Sequence, residues 1–203
     1  MFNGIIKNTG RTVKINKNKN ECFIYINSDI KFTNKEVGSS ISCSGTCLTL
    51  INFKKKLSKF YISKETLNRT NFKYIRKNTI INLEKSLKYG DRISGHFVQG
   101  HVDTTSKILN ISSVGRSWYI DFNLSKKYRK FVIEKGSIAI NGVSLTIAKK
   151  LKKMFRVIVI PQTLKYTNLI KLTKGDIVNI EFDVLSKYKK NLIWKSFLKS
   201  KIL

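Results

Sequence analysis

Ser44-Gly45-Thr46-Cys47-Leu48-Thr49 and Asn141-Gly142-Val143-Ser144-Leu145-Thr146 are two versions of one phrase. Aligning Cys47 with Ser144 sets an offset of 97 residues, and other parts of the chain obey it. Glu65-Thr66-Leu67 matches Gln162-Thr163-Leu164, and Thr70-Asn71 matches Thr167-Asn168. Ile80-Ile81-Asn82-Leu83-Glu84 matches Ile177-Val178-Asn179-Ile180-Glu181. Separate blocks held at one offset mark a tandem duplication. The seam falls near Gly95-His96-Phe97, which divides the chain into 1–96, 97–185 and a tail over 186–203.

Each copy reads as all-β. Short apolar, β-branched and aromatic runs recur at Cys22–Ile26, Leu48–Phe53, Ile80–Leu83, Trp118–Phe122, Ile138–Ile140, Phe155–Ile160 and Ile177–Phe182. Turn signals separate them, among them Gly90-Asp91, Lys135-Gly136 and Gly175-Asp176. Several short strands in each half favour a small closed barrel, because closure removes exposed edges. A short helix is expected from Ser125 to Glu134, with Ser125 as its cap and Tyr128, Phe131 and Val132 on one face. In the tail, Tyr188, Leu192, Trp194, Phe197 and Leu198 follow helical spacing, so a terminal amphipathic helix is expected there.

Composition narrows the function classes. With 203 residues and 41% hydrophobic content, the chain has enough apolar material for one large core or two compact ones. No apolar run approaches the roughly 18–20 residues needed to cross a bilayer. The start, Met1 to Lys7, lacks the basic-then-apolar pattern of a signal peptide, and the cytoplasm is the expected compartment. Three cysteines, Cys22, Cys43 and Cys47, are an odd, sparse set that suits no disulfide framework. The two histidines, His96 and His101, lie far from them, so no metal site is expected. Net charge +28 raises the question of nucleic acid. Lysine supplies nearly all of that charge and is spread through every segment among Asn and Ile, which reads as compositional drift rather than a basic patch. An RNA-binding barrel would interleave surface aromatics with arginine, and arginine is sparse here.

The repeated phrase suggests what the duplicated site holds. The middle leucine is a core position, and the glycine permits positive φ or close backbone approach. Cys47 with Thr49, and Ser144 with Thr146, offer polar groups without net charge, which suits a neutral hydrogen-bonding heterocycle. Two like sites suit an activity that brings two copies of one ligand together, lowering the barrier by proximity. The copies differ where such a reaction needs asymmetry: Cys47 against Ser144, Glu65 against Gln162, Ser86 against Asp183.

These motifs resemble the riboflavin synthase alpha-chain family. Met1-Phe2-Asn3-Gly4-Ile5-Ile6 is similar to its MFTGI start, and Gly95-His96-Phe97-Val98-Gln99-Gly100-His101-Val102-Asp103 to its seam. Lys135 to Thr146, Ile160 to Leu164 and Val178 to Asp183 complete a match that runs in order along nearly the whole chain. The resemblance implies an all-β fold of two tandem six-stranded Greek-key β-barrels with a C-terminal α-helix, assembled as a homotrimer. It also implies dismutation of 6,7-dimethyl-8-ribityllumazine to riboflavin and 5-amino-6-ribitylaminouracil, with no metal or cofactor and with neither nucleic acid nor membrane as partner.

Carried over by motif, one lumazine contacts Gly4, Ile5, Ile6, Cys47, Leu48, Thr49 and the run Tyr61, Ile62, Ser63, Lys64, Glu65 and Thr66, together with the seam. The second contacts Gly100, His101, Val102, Ser144, Leu145, Thr146 and the run Ile160, Pro161, Gln162, Thr163, Leu164 and Lys165, with Lys135 reaching from a neighbouring subunit. Catalytic candidates are His101 as proton shuttle, Ser40 and Cys47 near the first ring, and Ser144, Thr146 and Asp183 in the second barrel. For His96 a structural role at the seam and a catalytic one stay equally open, and for Cys47 a buried apolar thiol is the alternative. Asn3 in place of Thr, and Ser44 in place of the more common Asn, depart from the family pattern. A non-catalytic, fluorescent lumazine carrier on the same barrels is the rival reading.

Overall fold

A computed structural model describes residues 1–19 and 21–188. The first barrel is built from β1 (Asn8–Lys17), β2 (Glu21–Ser28), β3 (Ser40–Cys43), β4 (Thr46–Lys54), β5 (Leu57–Ser63) and β6 (Ile80–Lys85). The second repeats it with β7 (Thr104–Val114), β8 (Ser117–Asn123), β9 (Ser137–Ile140), β10 (Val143–Lys150), β11 (Met154–Val159) and β12 (Ile177–Phe182). Each is closed and antiparallel, in the orders β1-β2-β5-β4-β3-β6 and β7-β8-β11-β10-β9-β12, which is one Greek-key topology used twice. Helices α1 (Lys64–Arg69) and α2 (Pro161–Tyr166) follow β5 and β11 at equivalent places.

Alternation along the strands makes the barrels. Cys22, Ile24 and Ile26 of β2 point inward with Phe60 and Ile62 of β5, while Phe23, Tyr25 and Tyr61 between them face out. Phe155, Val157 and Val159 of β11 do the same in the second barrel, beside Ile120 and Phe122. Each fully buried side chain of this size contributes roughly 1.5–3 kcal/mol by leaving water. Bulges recur at matching points: Thr12/Lys14 on β1 and Ile108/Asn110 on β7, then Leu50/Asn52 on β4 and Ile147/Lys149 on β10. Each lets its strand bend sharply enough to close a small cylinder.

The first two strands of the copies are thus related by an offset of 96, and those from β3 onward by 97. The extra residue of the second copy lies between β8 and β9. There the short helix expected from Ser125 to Glu134 is found as a 3-10 helix, Lys126–Phe131, and the Ser125 side chain makes no capping bond. Beyond it Val132 is extended and Lys135 takes φ 66° to turn the chain into β9, so only the short i→i+3 winding forms. The expected apolar face survives, because Tyr128 and Phe131 pack on Phe182 and Val132 is buried. Strands β1, β3, β5, β7 and β10 were not among the expected apolar runs, because polar residues interrupt them, exposed as at Lys14 and Lys107 or buried as at Ser42 and Ser58. The expected tail helix over 186–203 falls mostly outside the described residues; 184–188 are helical.

The barrels meet across an approximate two-fold axis. Phe2 and Val98, both fully buried, exchange a pair of backbone hydrogen bonds of 2.7 and 3.0 Å. Ser44-Gly45 and Asn141-Gly142 are two-residue hairpin turns with positive φ throughout, as the type I′ geometry requires. Their glycines face one another, and around them asparagines cross between barrels in pairs. Asn71 donates its N–H to Asn179 Oδ1, and Asn168 donates its own to Asn82 Oδ1, both at 2.7 Å. Asn82 Nδ2 donates to the Asn141 carbonyl at 2.9 Å, and Asn179 Nδ2 to the Ser44 carbonyl at 2.8 Å. A buried polar interface satisfied in this way specifies one relative placement of the barrels.

Candidate active site

The segments that lead into each barrel cross to the other. Residues 2–6 run against the second barrel, where Ser144 donates its N–H to the Gly4 carbonyl at 2.8 Å and Ile6 enters the core. Residues 98–102 run against the first, where Cys47 donates its N–H to the Gly100 carbonyl, also at 2.8 Å. Neither glycine admits a side chain. A Cβ on Gly4 would stand 2.7 Å from Ser144 Cβ, and one on Gly100 would stand 2.7 Å from Cys47 Cβ.

This crossing regroups the residues selected from the sequence. Gly4, Ile5 and Ile6 join Ser144, Gln162 and Thr163 around a cavity of about 440 Å³, rather than joining Cys47. Gly100 joins Cys47 rather than Ser144. On the strands, Cys47 and Ser144 are half-buried, Thr49 and Thr146 are exposed beside them, and Leu48 and Leu145 point into the cores. Ser40 pairs with Thr49 across β3 and β4, and its carbonyl accepts the Ser86 hydroxyl at 2.5 Å.

The strand-to-helix corners supply the next wall. Ser63 caps α1 by accepting the Thr66 N–H at 3.2 Å, and Pro161 opens α2 at a position where no N–H is needed. Lys64, Glu65 and Thr66 lie on α1, with Glu65 paired to Arg69 one turn on. Gln162, Thr163 and Lys165 lie on α2, and the first two reach the cavity. Ile62 and Leu164 belong to the cores; Tyr61 packs its ring against Phe23, and Ile160 is exposed. Val102 is half-buried, and Lys135 is exposed in its turn, away from the cavity lining.

The seam places one histidine on each side. His96 Nδ1 and Ser144 Oγ are hydrogen-bonded at 2.7 Å, and burial holds the His96 ring below its ordinary range, with the Asp183 carboxylate pulling the other way. His101 follows Gly100 and stands exposed at the Cys47 side. Asp183 accepts the Leu185 N–H at 3.0 Å and so also starts the helical segment at 184–188. Both sites thus combine a small nucleophilic or hydrogen-bonding side chain, a tight glycine wall and a histidine from residues 95–101. Among the described residues, no group of His, Cys, Asp and Glu side chains is arranged to hold a metal ion.

Comparisons with known proteins give the family and the fold. The family described as "Lumazine binding domain" matches residues 3–86 and again 99–183. Riboflavin synthase of Actinobacillus pleuropneumoniae is 35% identical over 195 residues, covering 96% of this chain and 91% of the relative. This chain belongs to the riboflavin synthase family. The enzyme of that name from Bacillus subtilis is 33% identical over 196 residues, covering 97% of this chain and 91% of its own. Among solved structures, LumP complexed with 6,7-dimethyl-8-(1'-D-ribityl) lumazine superposes with TM-score 0.78 over 89% of this chain and 98% of its own, at 24% identity, which speaks to the fold.

Family motifs did not single out three groups that the geometry does. Phe2 fills the axis between the barrels, 3.0 Å from where a Cβ on Gly100 would stand. Glu84, half-buried on β6, and Glu181, buried on β12, are carboxylates that accept backbone N–H groups from the crossing segments. Their signal was present: an acidic residue kept at the end of an apolar strand in both copies asks for a partner. His96 was left undecided by sequence, and its bond to Ser144 draws it to the site. Asn3 and Ser44, the departures, keep polar duties. Asn3 Oδ1 accepts the Ile5 N–H at 3.0 Å, and Ser44 Oγ accepts the Asn82 N–H at 3.2 Å, as Asn141 Oδ1 does for Asn179 at 2.9 Å.

Proposed function

We propose that this chain is a riboflavin synthase, a transferase that moves a four-carbon unit between two molecules of 6,7-dimethyl-8-ribityllumazine. The products are riboflavin and 5-amino-6-ribitylaminouracil. Together they contain every atom of the two substrates, so the reaction needs no added oxidant, reductant or acceptor.

One observation carries the reading: the same half-site is built twice, as Cys47 against Gly100 and as Ser144 against Gly4, with unlike side chains at the reacting positions. The cavity at Ser144 falls within the size range of small-molecule sites and mixes apolar walls with a few placed polar groups. A lumazine there meets Ile5, Ser144, Gln162 and Thr163; its counterpart meets Cys47, Thr49, His101 and Thr66. His101 and Ser144 are the groups suited to moving a proton from the acidic ring methyl of one substrate and to activating the other. Lys135 from a neighbouring subunit and Asp183 serve the second-barrel site, and Ser40 the first. Following the family resemblance, the working assembly is a cytoplasmic homotrimer in which the first barrel of one subunit faces the second barrel of its neighbour.

Purified chain incubated with dimethylribityllumazine alone tests this. Riboflavin and the uracil are expected in equal amounts. Binding without turnover would identify a lumazine carrier instead, and absence of binding would overturn both readings.

A further inference from the structure

Glu84 and Glu181 follow Asn82 and Asn179 by two residues, on the strand face that looks toward the other barrel rather than the one that carries Leu83 and Ile180 into the cores, and each holds a run of backbone N–H groups from one crossing segment. Glu181 Oε1 accepts from Gln99 at 2.7 Å, while Oε2 accepts from Gly100 at 2.9 Å and His101 at 3.1 Å. Glu84 Oε1 accepts from Asn3 at 3.0 Å, and Oε2 from Gly4 at 3.1 Å. A buried carboxylate is poor value for stability, since an apolar side chain of the same shape often serves as well. What two such carboxylates supply is direction. Consecutive amides aimed at one carboxylate fix the path of the segment, and that path sets the glycine carbonyl that receives the Cys47 or Ser144 N–H.

The assignment is crossed. Glu181 belongs to the second barrel but fixes Gln99 to His101, the wall of the Cys47 half-site on the first. Glu84 belongs to the first barrel but fixes Asn3 and Gly4, the wall of the Ser144 cavity on the second. Their surroundings differ. Lys187 and Asp103, ion-paired at 2.6 Å, face Glu181, and the amino terminus faces Glu84.

We propose that Glu84 and Glu181 are positioning residues, each ordering the lumazine site carried by the opposite barrel. The proposal rests on reading the two half-sites as lumazine sites.

Alkylation of Cys47 distinguishes the two sites, because Cys22 and Cys43 are buried and Cys47 is not. In the full chain, dimethylribityllumazine should protect Cys47 from iodoacetamide, and the concentration for half-protection reports that site. Glutamine keeps the shape of glutamate but offers one acceptor oxygen in place of two. Glu181→Gln should therefore raise the half-protecting concentration about tenfold or more, the usual cost of losing hydrogen bonds to a charged acceptor. Glu84→Gln should leave Cys47 protection near the wild-type value while lowering kcat. Lys187→Met, which keeps the carboxylate and the fold but removes the neighbouring cation, should move the pH at which protection fails upward. Equal effects of the two glutamine variants on Cys47, or none from Glu181→Gln and Lys187→Met, would overturn the proposal. A wild-type chain with turnover but unprotected Cys47 would do so too. A wild-type chain with neither turnover nor protection would overturn the two-site reading itself.

Discussion

His96 and Ser144, 48 residues apart on the two sides of the seam, are joined by a 2.7 Å hydrogen bond at the edge of the second-barrel cavity. Burial keeps the imidazole neutral over more of the acid range than a free histidine. In the tautomer protonated at Nε2, the ring accepts the Ser144 hydroxyl proton and leaves the oxygen lone pairs toward the cavity. Ser144→Ala and His96→Gln should each lower kcat by about tenfold or more, since the first removes the hydroxyl that faces the cavity and the second the ring that orients it. Steady-state kinetics, with a thermal melt as control for folding, checks this.

The same histidine shapes acid stability. A lowered native pKa means that the folded chain binds this proton later than the unfolded chain does as pH falls. The contribution is therefore present above the ordinary histidine range and is lost as pH falls through the lowered native value. His96→Gln should flatten the fall in denaturation midpoint between neutral and mildly acidic pH.

Glu181 has the opposite sign. Burial pushes its carboxyl from 4.5 up to about 7, against the pull of the Gln99 and Gly100 N–H groups and of Lys187. Stability tied to the protonated form is complete below the unfolded value and is lost as pH rises through about 7, a span of about 3 kcal/mol at most. Glu181→Gln should remove this slope, so that its stability relative to wild type improves from pH 5 to pH 8. Denaturant midpoints at the two pH values read the difference. Retaining an ionised Glu181 at working pH thus costs stability and keeps the Cys47 wall in place.

The axis between the barrels should be intolerant. Gly45 has φ 78°, and a Cβ there would stand 2.6 Å from the Gly142 nitrogen, with the mirror contact at Gly142. Gly45→Ala and Gly142→Ala combine a left-handed backbone with a clash against main chain, and each should cost roughly 3 kcal/mol or more. Ser44→Asn, by contrast, places a residue tolerant of positive φ where Asn141 already stands in the other copy, and should be neutral or stabilising by up to about 1 kcal/mol. Chemical denaturation distinguishes the two outcomes.

Much of this architecture was legible in the repeated phrase. The offset between Cys47 and Ser144 marked the duplication and paired β4 with β10, β6 with β12 and the corners at Glu65 and Gln162, because no insertion separates those segments. The single extra residue between β8 and β9 hid the 96-residue offset of the leading strands, whose outer faces are lysine and asparagine. What no local pattern encodes is the crossing: Gly4 and Gly100 look like members of the barrels they precede, and only packing sends each to the other. Ile6 shows it best, standing in the first copy and buried in the second core. Ile6→Ala should cost about 2–5 kcal/mol, with lost amide protection in β7–β12 rather than β1–β6 when followed by hydrogen exchange.

With two like half-sites, one chain should hold two like molecules. Equilibrium titration of the wild-type protein with dimethylribityllumazine, with the free and bound ligand counted before turnover, tests it most directly. Two ligands per chain are expected at saturation. Saturation at one ligand per chain would contradict the two-site reading.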